Sequence, residues 1–157
     1  MKILFVCLGN ICRSPTAEGV FQSFVNKEGL REIIEIDSAG TSGCHVGEQA
    51  DSRMREHANA RGYNLTSLSR KFDAHKDFDY YDKIIVMDAS NKSDVLEQDL
   101  QDKYSSKVEM MTDYCQEHTE QKVPDPYYGG GTGFEKVIDI VEDACGGLLE
   151  EVKKHYE

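Results

Sequence analysis

The residues with the clearest chemical potential lie in one short segment, residues 7–14, which reads CLGNICRS. Cys7 supplies a thiol, and Arg13 supplies a planar guanidinium that can bind two oxygens of one phosphate group. Gly9 is expected to take a positive φ and to bring the backbone close to a ligand. A thiol beneath a cradle for a tetrahedral anion predicts attack of Cys7 on phosphorus and a cysteinyl-phosphate intermediate.

The elements on either side of this segment favour the same chemistry. Residues 3–6 form a short apolar run typical of a strand buried on both faces. Ser14 and Pro15 predict a helix start with Ser14 as N-cap, and the apolar spacing continues to Gly29. The N–H groups of a helix start, with the helix dipole, form an anion site. The same field favours the thiolate of Cys7, to which the Ser14 hydroxyl can donate a hydrogen bond.

Three other interpretations of the segment are open. Cys7 alone could be an ordinary apolar residue at a strand end. Cys7 and Cys12 could be half of a metal site, but no second cysteine pair follows at zinc-finger or ferredoxin spacing. The segment also lacks the second glycine and the Lys-Ser/Thr of a nucleotide-binding Walker A loop. We therefore predict neither a metal nor a cofactor.

The remaining sequence alternates between strand and helix patterns. Further strands are predicted at 33–36, 83–87 and 108–111. Further helices are predicted at 51–61, 90–100 and from 132, where Thr132 and Glu135 fit a capping box. This order predicts an α/β fold with three layers, a central four-stranded parallel sheet and helices on both faces. Ligands of such folds bind at the carboxyl ends of the strands, where Cys7 stands.

Composition narrows the partners. The 157 residues include 18 basic and 29 acidic residues, a net charge of −11, which argues against nucleic acid and anionic membranes as partners. The sequence has no run of 18 apolar residues and no signal-peptide pattern. Five scattered cysteines fit a reducing, cytoplasmic location. Arg53, Arg55 and Lys92 are candidate rim charges that would offset the net charge near an anionic substrate.

A family resemblance rests on four segments. Residues 6–15, VCLGNICRSP, resemble the low-molecular-weight protein tyrosine phosphatases, whose signature is C-x5-R-[ST] near the N-terminus. The similarity continues through DSAGT at 37–41, VMD at 86–88 with Asn91, and DPYYG at 125–129. The resemblance implies a single domain over 1–157 that hydrolyses phosphotyrosine proteins or peptides and small aryl phosphates. It also implies phosphate as product and inhibitor.

Asp125 is the candidate general acid and base. Pro124 and Pro126 restrict its backbone and could aim its carboxyl group into a site. From the residues alone, a plain turn residue is an equal alternative. The resemblance assigns it the acid role: it would protonate the leaving tyrosine and then accept a proton from the hydrolytic water.

The resemblance extends the site beyond Cys7, Arg13 and Asp125. Substrate-binding positions are expected at Leu8, Gly9, Asn10, Ile11, Cys12, Ser14, Cys44, Tyr127 and Tyr128. Asn10 is expected to brace the loop together with Ser38. The two tyrosines would wall a cleft for an aromatic ring.

Two departures from the family pattern, and one property of the relatives, affect these expectations. Cys44 stands where relatives carry Trp or Tyr, which suggests a wider cleft, and Ser67 replaces a bracing histidine found in some relatives. Relatives protect the nucleophile by a reversible disulfide, which would here join Cys7 and Cys12.

Related activities remain as alternatives. An arsenate reductase of the same fold needs two further cysteines after the third strand, and residues 82–114 contain none. Phosphoarginine phosphatases tend to carry Thr where this chain has Ile11, so Ile11 favours an aryl substrate. A non-catalytic phosphotyrosine-binding module would be expected to lack Cys7, Arg13 or Asp125, and all three are present.

Overall fold

Four parallel strands form the centre of the part of the chain that the structure describes. This structure is a computed structural model, and it describes residues 1–128 and 130–157, without the side chain of Tyr128. The strands are β1 (Lys2–Cys7), β2 (Glu35–Gly40), β3 (Lys83–Val86) and β4 (Val108–Met110). Their order is β2-β1-β3-β4, and every pair is parallel. The predicted sheet is confirmed, with β1 and its terminal Cys7 in an interior position.

Helices cover both faces of this sheet. They are α1 (Arg13–Lys27), α2 (Ser52–Ala60), α3 (Ala74–Tyr80), α4 (Ala89–Glu97) and α5 (Gly130–His155). Alternate side chains of a strand point to opposite faces. Accordingly, Ile3 and Phe5 join a core with α1 and α5, whereas Leu4 and Val6 join a second core with Phe78 of α3. The predicted three-layer architecture is confirmed. None of the helices in the described ranges is long and apolar enough to cross a membrane.

The second strand lies further along the chain than its apolar residues suggest. The prediction of 33–36 was wrong, because β2 runs from Glu35 to Gly40. Ser38 and Ala39 are small, yet they are buried beside β1. Pairing with a central strand therefore outweighs local hydrophobicity here. The short helix α3 was missed, because its sequence AHKDFDY carries too few apolar residues to show a helical period.

Two predicted helix starts were also wrong. Helix α1 begins at Arg13 with Cys12 as N-cap, so Ser14 lies inside the first turn. Helix α5 begins at Gly130, so Thr132 lies within the helix and is not its N-cap. Glu135 does not close a capping box. Its carboxylate bonds to His57 and Arg61 of the α2 region.

Neighbouring glycines in α5 provide a test of this packing. A Cβ on Gly147 would collide with the carbonyl oxygen of Tyr114, whereas one on Gly146 would meet nothing within 4 Å. We expect Gly147→Ala to lower the free energy of unfolding by about 1–3 kcal/mol through overpacking. We expect Gly146→Ala to raise it by about 0.5–1 kcal/mol, because alanine favours the helix. Urea denaturation of both variants measures the difference, and equal effects would contradict the packing.

Candidate active site

The segment from Cys7 to Ser14 forms a tight loop between β1 and α1. Cys7 is buried, and its Sγ lies 3.0 Å from Ser14 Oγ and accepts the Asn10 N–H at 3.3 Å. The residue with positive φ is Asn10, at 55°, so the prediction of positive φ for Gly9 was wrong. A Cβ at Gly9 would lie 3.2 Å from the His45 ring, a tight contact that a small shift of this part-exposed side chain would relieve. Asparagine tolerates the left-handed region better than most residues.

The carbonyl groups of this loop are bonded away from its concave side. The pairs of donor and accepting carbonyl are Thr41 N–H to Cys7 (2.9 Å), Ser42 N–H to Leu8 (2.9 Å), Ser69 hydroxyl to Gly9 (3.1 Å), Asp51 N–H to Ile11 (2.8 Å) and Thr16 hydroxyl to Cys12 (2.6 Å). The N–H of each next residue points the opposite way across a planar trans peptide. The N–H groups of residues 8–10, 12 and 13 therefore face inward, where they can bind a tetrahedral anion.

The Asn10 side chain holds this loop from beneath. Its amide donates to Ser14 Oγ at 2.8 Å and to Ser38 Oγ at 2.9 Å, and its Oδ1 accepts the Arg70 N–H at 2.9 Å. Because Ser14 Oγ accepts from Asn10, its own proton can be donated to Cys7 Sγ at 3.0 Å or to the Ala39 carbonyl at 3.4 Å. The expected bracing by Asn10 and Ser38 is therefore present in the geometry.

A carboxylate ends this chain of hydrogen bonds. Ser38 donates to Glu18, which also bonds to Ser67, and burial raises the pKa of Glu18. Ser67 thus stands beside the bracing chain.

Sequence reasoning missed two supports of the loop. Gly40 ends β2 directly against it, and a Cβ on Gly40 would lie 2.8 Å from the Leu8 carbonyl oxygen. Asp88, the N-cap of α4, holds Arg13 through an ion pair of 2.7 Å, and Arg13 also donates to the Val123 carbonyl at 3.2 Å. Both residues lie within segments that carry the family resemblance, but neither was singled out, because their roles depend on strands distant in sequence.

A cavity of about 740 Å³ opens above the loop. Of the predicted site residues, those that line it are Cys7, Leu8, Gly9, Ile11, Cys12, Arg13, Cys44, Asp125 and Tyr127. Asn10 and Ser14 lie beneath the loop, almost completely buried, and are supports rather than cavity walls. The side chain of Tyr128, and Gly129 after it, lie outside the described residues.

The surroundings of Asp125 bear on both interpretations that the sequence left open. Its Oδ1 accepts the Tyr127 N–H at 3.0 Å, which is the hydrogen bond of an Asx turn. The same exposed carboxyl group also lines the cavity together with Cys7 and Arg13. The turn thus holds the carboxylate on the cavity wall.

Charges at the cavity rim differ from those expected. Arg55 lines the cavity, whereas Arg53 pairs with Asp51 at 3.1 Å, and Lys92 lies in a separate depression beside Leu96. Glu48, at the rim, pairs with His45 at 2.8 Å. Arg55 is thus the one candidate of the three that reaches the cavity. Within the described ranges, no group of three or more His, Cys, Asp or Glu side chains is placed to hold a metal ion.

Cys12, the second thiol of the loop, is poorly suited to act as a nucleophile because it does not ionise readily. Burial, together with the charges of Asp51, Cys7 and Asp125, raises the pKa of Cys12 to about 12. Cys12 therefore remains a protonated thiol near neutral pH. All five cysteines are free thiols in the structure, and Cys44 is exposed at the cavity.

Comparison with known proteins agrees with this geometry. The family model described as "Low molecular weight phosphotyrosine protein phosphatase" matches residues 2–157. A low molecular weight phosphotyrosine protein phosphatase of Schizosaccharomyces pombe is 42% identical, with 97% of each chain covered. A protein tyrosine phosphatase crystal structure from Entamoeba histolytica, with Hepes in its active site, is 46% identical with a TM-score of 0.94, covering 100% of this chain and 99% of that one.

A more distant structure carries a different activity in its name. It is a Drosophila arginine phosphatase, 30% identical with a TM-score of 0.89, and the match covers 98% of both chains.

The α/β fold and the cysteine-containing loop, together with these comparisons, place the chain in a class of hydrolases. The chain belongs to the low molecular weight phosphotyrosine protein phosphatase family.

The raised pKa of Cys12 gives a testable prediction. At pH 8, a thiol with a pKa of about 12 is ionised to about one part in 10⁴, and only the thiolate is alkylated. In a Cys7→Ser variant we expect iodoacetamide to modify Cys12 at least about 100-fold more slowly than the exposed Cys44. Peptide mass mapping over time measures both rates in one sample. Similar rates for the two thiols would contradict the prediction.

Proposed function

We propose that the protein hydrolyses phosphotyrosine in proteins and peptides, and small aryl phosphates, in two steps through Cys7. The observation that carries the proposal is the loop geometry. Cys7 Sγ lies under inward-facing N–H groups, and Arg13 and Asp125 line the same cavity. Family membership supports the same reaction class.

In the first step, the loop N–H groups and Arg13 bind the phosphate oxygens, which lowers the energy of the charge that develops on them. The Cys7 thiolate attacks phosphorus, so that an S–P bond forms as the P–O bond to the aryl group breaks. Asp125 donates its proton to the departing phenolate oxygen. Asp88 supports this step by fixing the Arg13 guanidinium at 2.7 Å, so that the arginine needs little rearrangement.

In the second step, Asp125 acts as a carboxylate. It accepts a proton from a water molecule whose oxygen attacks phosphorus, and the S–P bond breaks to release inorganic phosphate and the Cys7 thiolate. The Ser14 hydroxyl, 3.0 Å from Sγ, stabilises the returning negative charge. Inorganic phosphate is consequently both product and competitive inhibitor.

The cavity walls support an aryl substrate. Leu8, Ile11 and Tyr127 provide apolar surface above the phosphate loop, and aromatic rings favour such walls. A phosphoserine would be too short to bring its phosphorus to a buried Cys7. Exposed Cys44 makes the wall smaller than an aromatic residue would, which favours tolerance toward larger aryl groups. Ile11, in place of threonine, favours aryl over guanidino phosphates.

The proposed thiolate mechanism also indicates the cellular compartment in which the protein acts. The proposed mechanism requires Cys7 as a thiolate, and an adjacent thiol, Cys12, lines the same cavity. We therefore propose a reducing compartment, the cytoplasm, as the place of action. Under peroxide, a Cys7–Cys12 disulfide would protect the nucleophile from further oxidation.

Removal of the nucleophile tests the mechanism. We expect Cys7→Ser to lower kcat for para-nitrophenyl phosphate and for a phosphotyrosine peptide by at least about 10³-fold, since no S–P bond can form. Cys115→Ser, which changes a half-buried thiol outside the cavity, is the matched control and should retain most activity. Turnover by Cys7→Ser at the rate of the unchanged protein would overturn the proposal.

The acid role of Asp125 gives a separate prediction. We expect Asp125→Asn to lower kcat/KM for phosphotyrosine by about 10²–10⁴-fold. The loss should be much smaller for 2,4-dinitrophenyl phosphate, whose leaving group departs without a proton. kcat/KM is the appropriate quantity because it reports the first chemical step. Equal losses on both substrates would refute the acid role.

A further inference from the structure

One face of α2 joins the start of α5 through three cationic or aromatic side chains. Arg53 and His57 of α2, and Arg61 just after it, are spaced four residues apart and so share one face. Arg53 lies over the Phe134 ring at 5.0 Å, and the His57 ring stacks on Phe134 at 5.5 Å. His57 Nδ1 is 2.5 Å from one oxygen of Glu135, and Arg61 is 2.9 Å from the other.

The first turns of α5 in turn position the segment that carries Asp125. A Cβ on Gly133 would lie 3.3 Å from the Pro126 carbonyl oxygen, so helix and segment are already in close contact. Pro126 is buried and adjoins Asp125 directly. Movement of Phe134 or Glu135 would therefore shift Pro126, and Asp125 with it.

The other end of α2 is attached to the phosphate loop. Asp51, the N-cap of α2, donates its N–H to the Ile11 carbonyl at 2.8 Å. Its carboxylate accepts from Arg53, which also contacts Phe134. The helix thus spans the two halves of the site: the loop with Cys7 and the wall with Asp125.

We propose that His57 is a positioning residue that sets the location of Asp125 relative to the phosphate loop. The proposal rests on the proposed function, in which Asp125 is the general acid. His57 reaches the reaction only through Phe134, Glu135 and the Pro126 contact. A displacement of an ångström or less at a catalytic group is enough to slow proton transfer.

The test compares two substrates and two backgrounds. We expect His57→Ala to lower kcat/KM for phosphotyrosine by about tenfold and for 2,4-dinitrophenyl phosphate by less than twofold, because only the first needs the acid. In an Asp125→Asn background, His57→Ala should cause no further loss on phosphotyrosine, since residues that act through one group are not additive. The inhibition constant of inorganic phosphate should stay unchanged, because the loop is intact.

Two further variants separate positioning from general stability. Tyr63→Phe removes a 2.6 Å hydrogen bond to Glu142 elsewhere on the same interface, and should lower Tm without substrate selectivity. Gly133→Ala pushes Pro126 from the α5 side, so it should lower kcat/KM for phosphotyrosine more than for 2,4-dinitrophenyl phosphate, as His57→Ala does. It therefore tests the proposal even if the His57→Ala variant folds poorly.

The outcomes separate the positioning role of His57 from the acid role of Asp125. Equal losses on both substrates for His57→Ala and Gly133→Ala, or a full further loss in the Asp125→Asn background, would overturn the positioning role alone. An Asp125→Asn variant without selectivity would refute the acid assignment itself, and the role of His57 would fail with it.

Discussion

The site depends on one constraint: the carbonyl groups of residues 7–9, 11 and 12 are held outward by hydrogen bonds. A peptide plane that fixes its carbonyl also fixes the next N–H, so these bonds turn a flexible loop into an inward-facing set of donors. Preorganised dipoles of this kind need not rearrange when charge develops on a substrate. A loop of the same sequence without those outer partners would spend binding energy on ordering itself.

The fold brings together the donors that these loop carbonyls require. Donors to the loop carbonyls come from the residues just after β2, the start of α2, Ser69 and the first turn of α1. Arg13 is held by Asp88, just after the end of β3. A parallel sheet collects these ends at one edge, which is why a chain of this length can place them around Cys7. The small residues at the end of β2 make room for the approach, and Gly40 is the clearest example.

Much of this arrangement could be predicted from the sequence, and what could not has a common physical origin. The apolar runs of β1 and β3 and the long stripe of α5 are local patterns, so the sheet and its layers were predictable. Cys7 and Arg13 were singled out by type and spacing, whereas Asp125 was singled out through the family resemblance. Features set by contacts across the fold could not be predicted in this way. They are the true start of α1, the positive φ of Asn10, and the ion pair between Asp88 and Arg13. The capping box at Thr132 was wrong because α5 begins two residues earlier, at Gly130, and the Glu135 carboxylate bonds to His57 and Arg61 instead.

The outward bonds of the loop carbonyls also couple the site to the stability of the whole chain. Because Thr41, Asp51 and Ser69 belong to separate segments, the donor ring exists only while those segments are all docked. An anion that binds the ring therefore binds the native state and not the unfolded chain. By mass action, each tenfold rise in phosphate above its dissociation constant adds about 1.4 kcal/mol to the free energy of unfolding. Phosphate, the product of the proposed reaction, would therefore stabilise the elements that form its binding site.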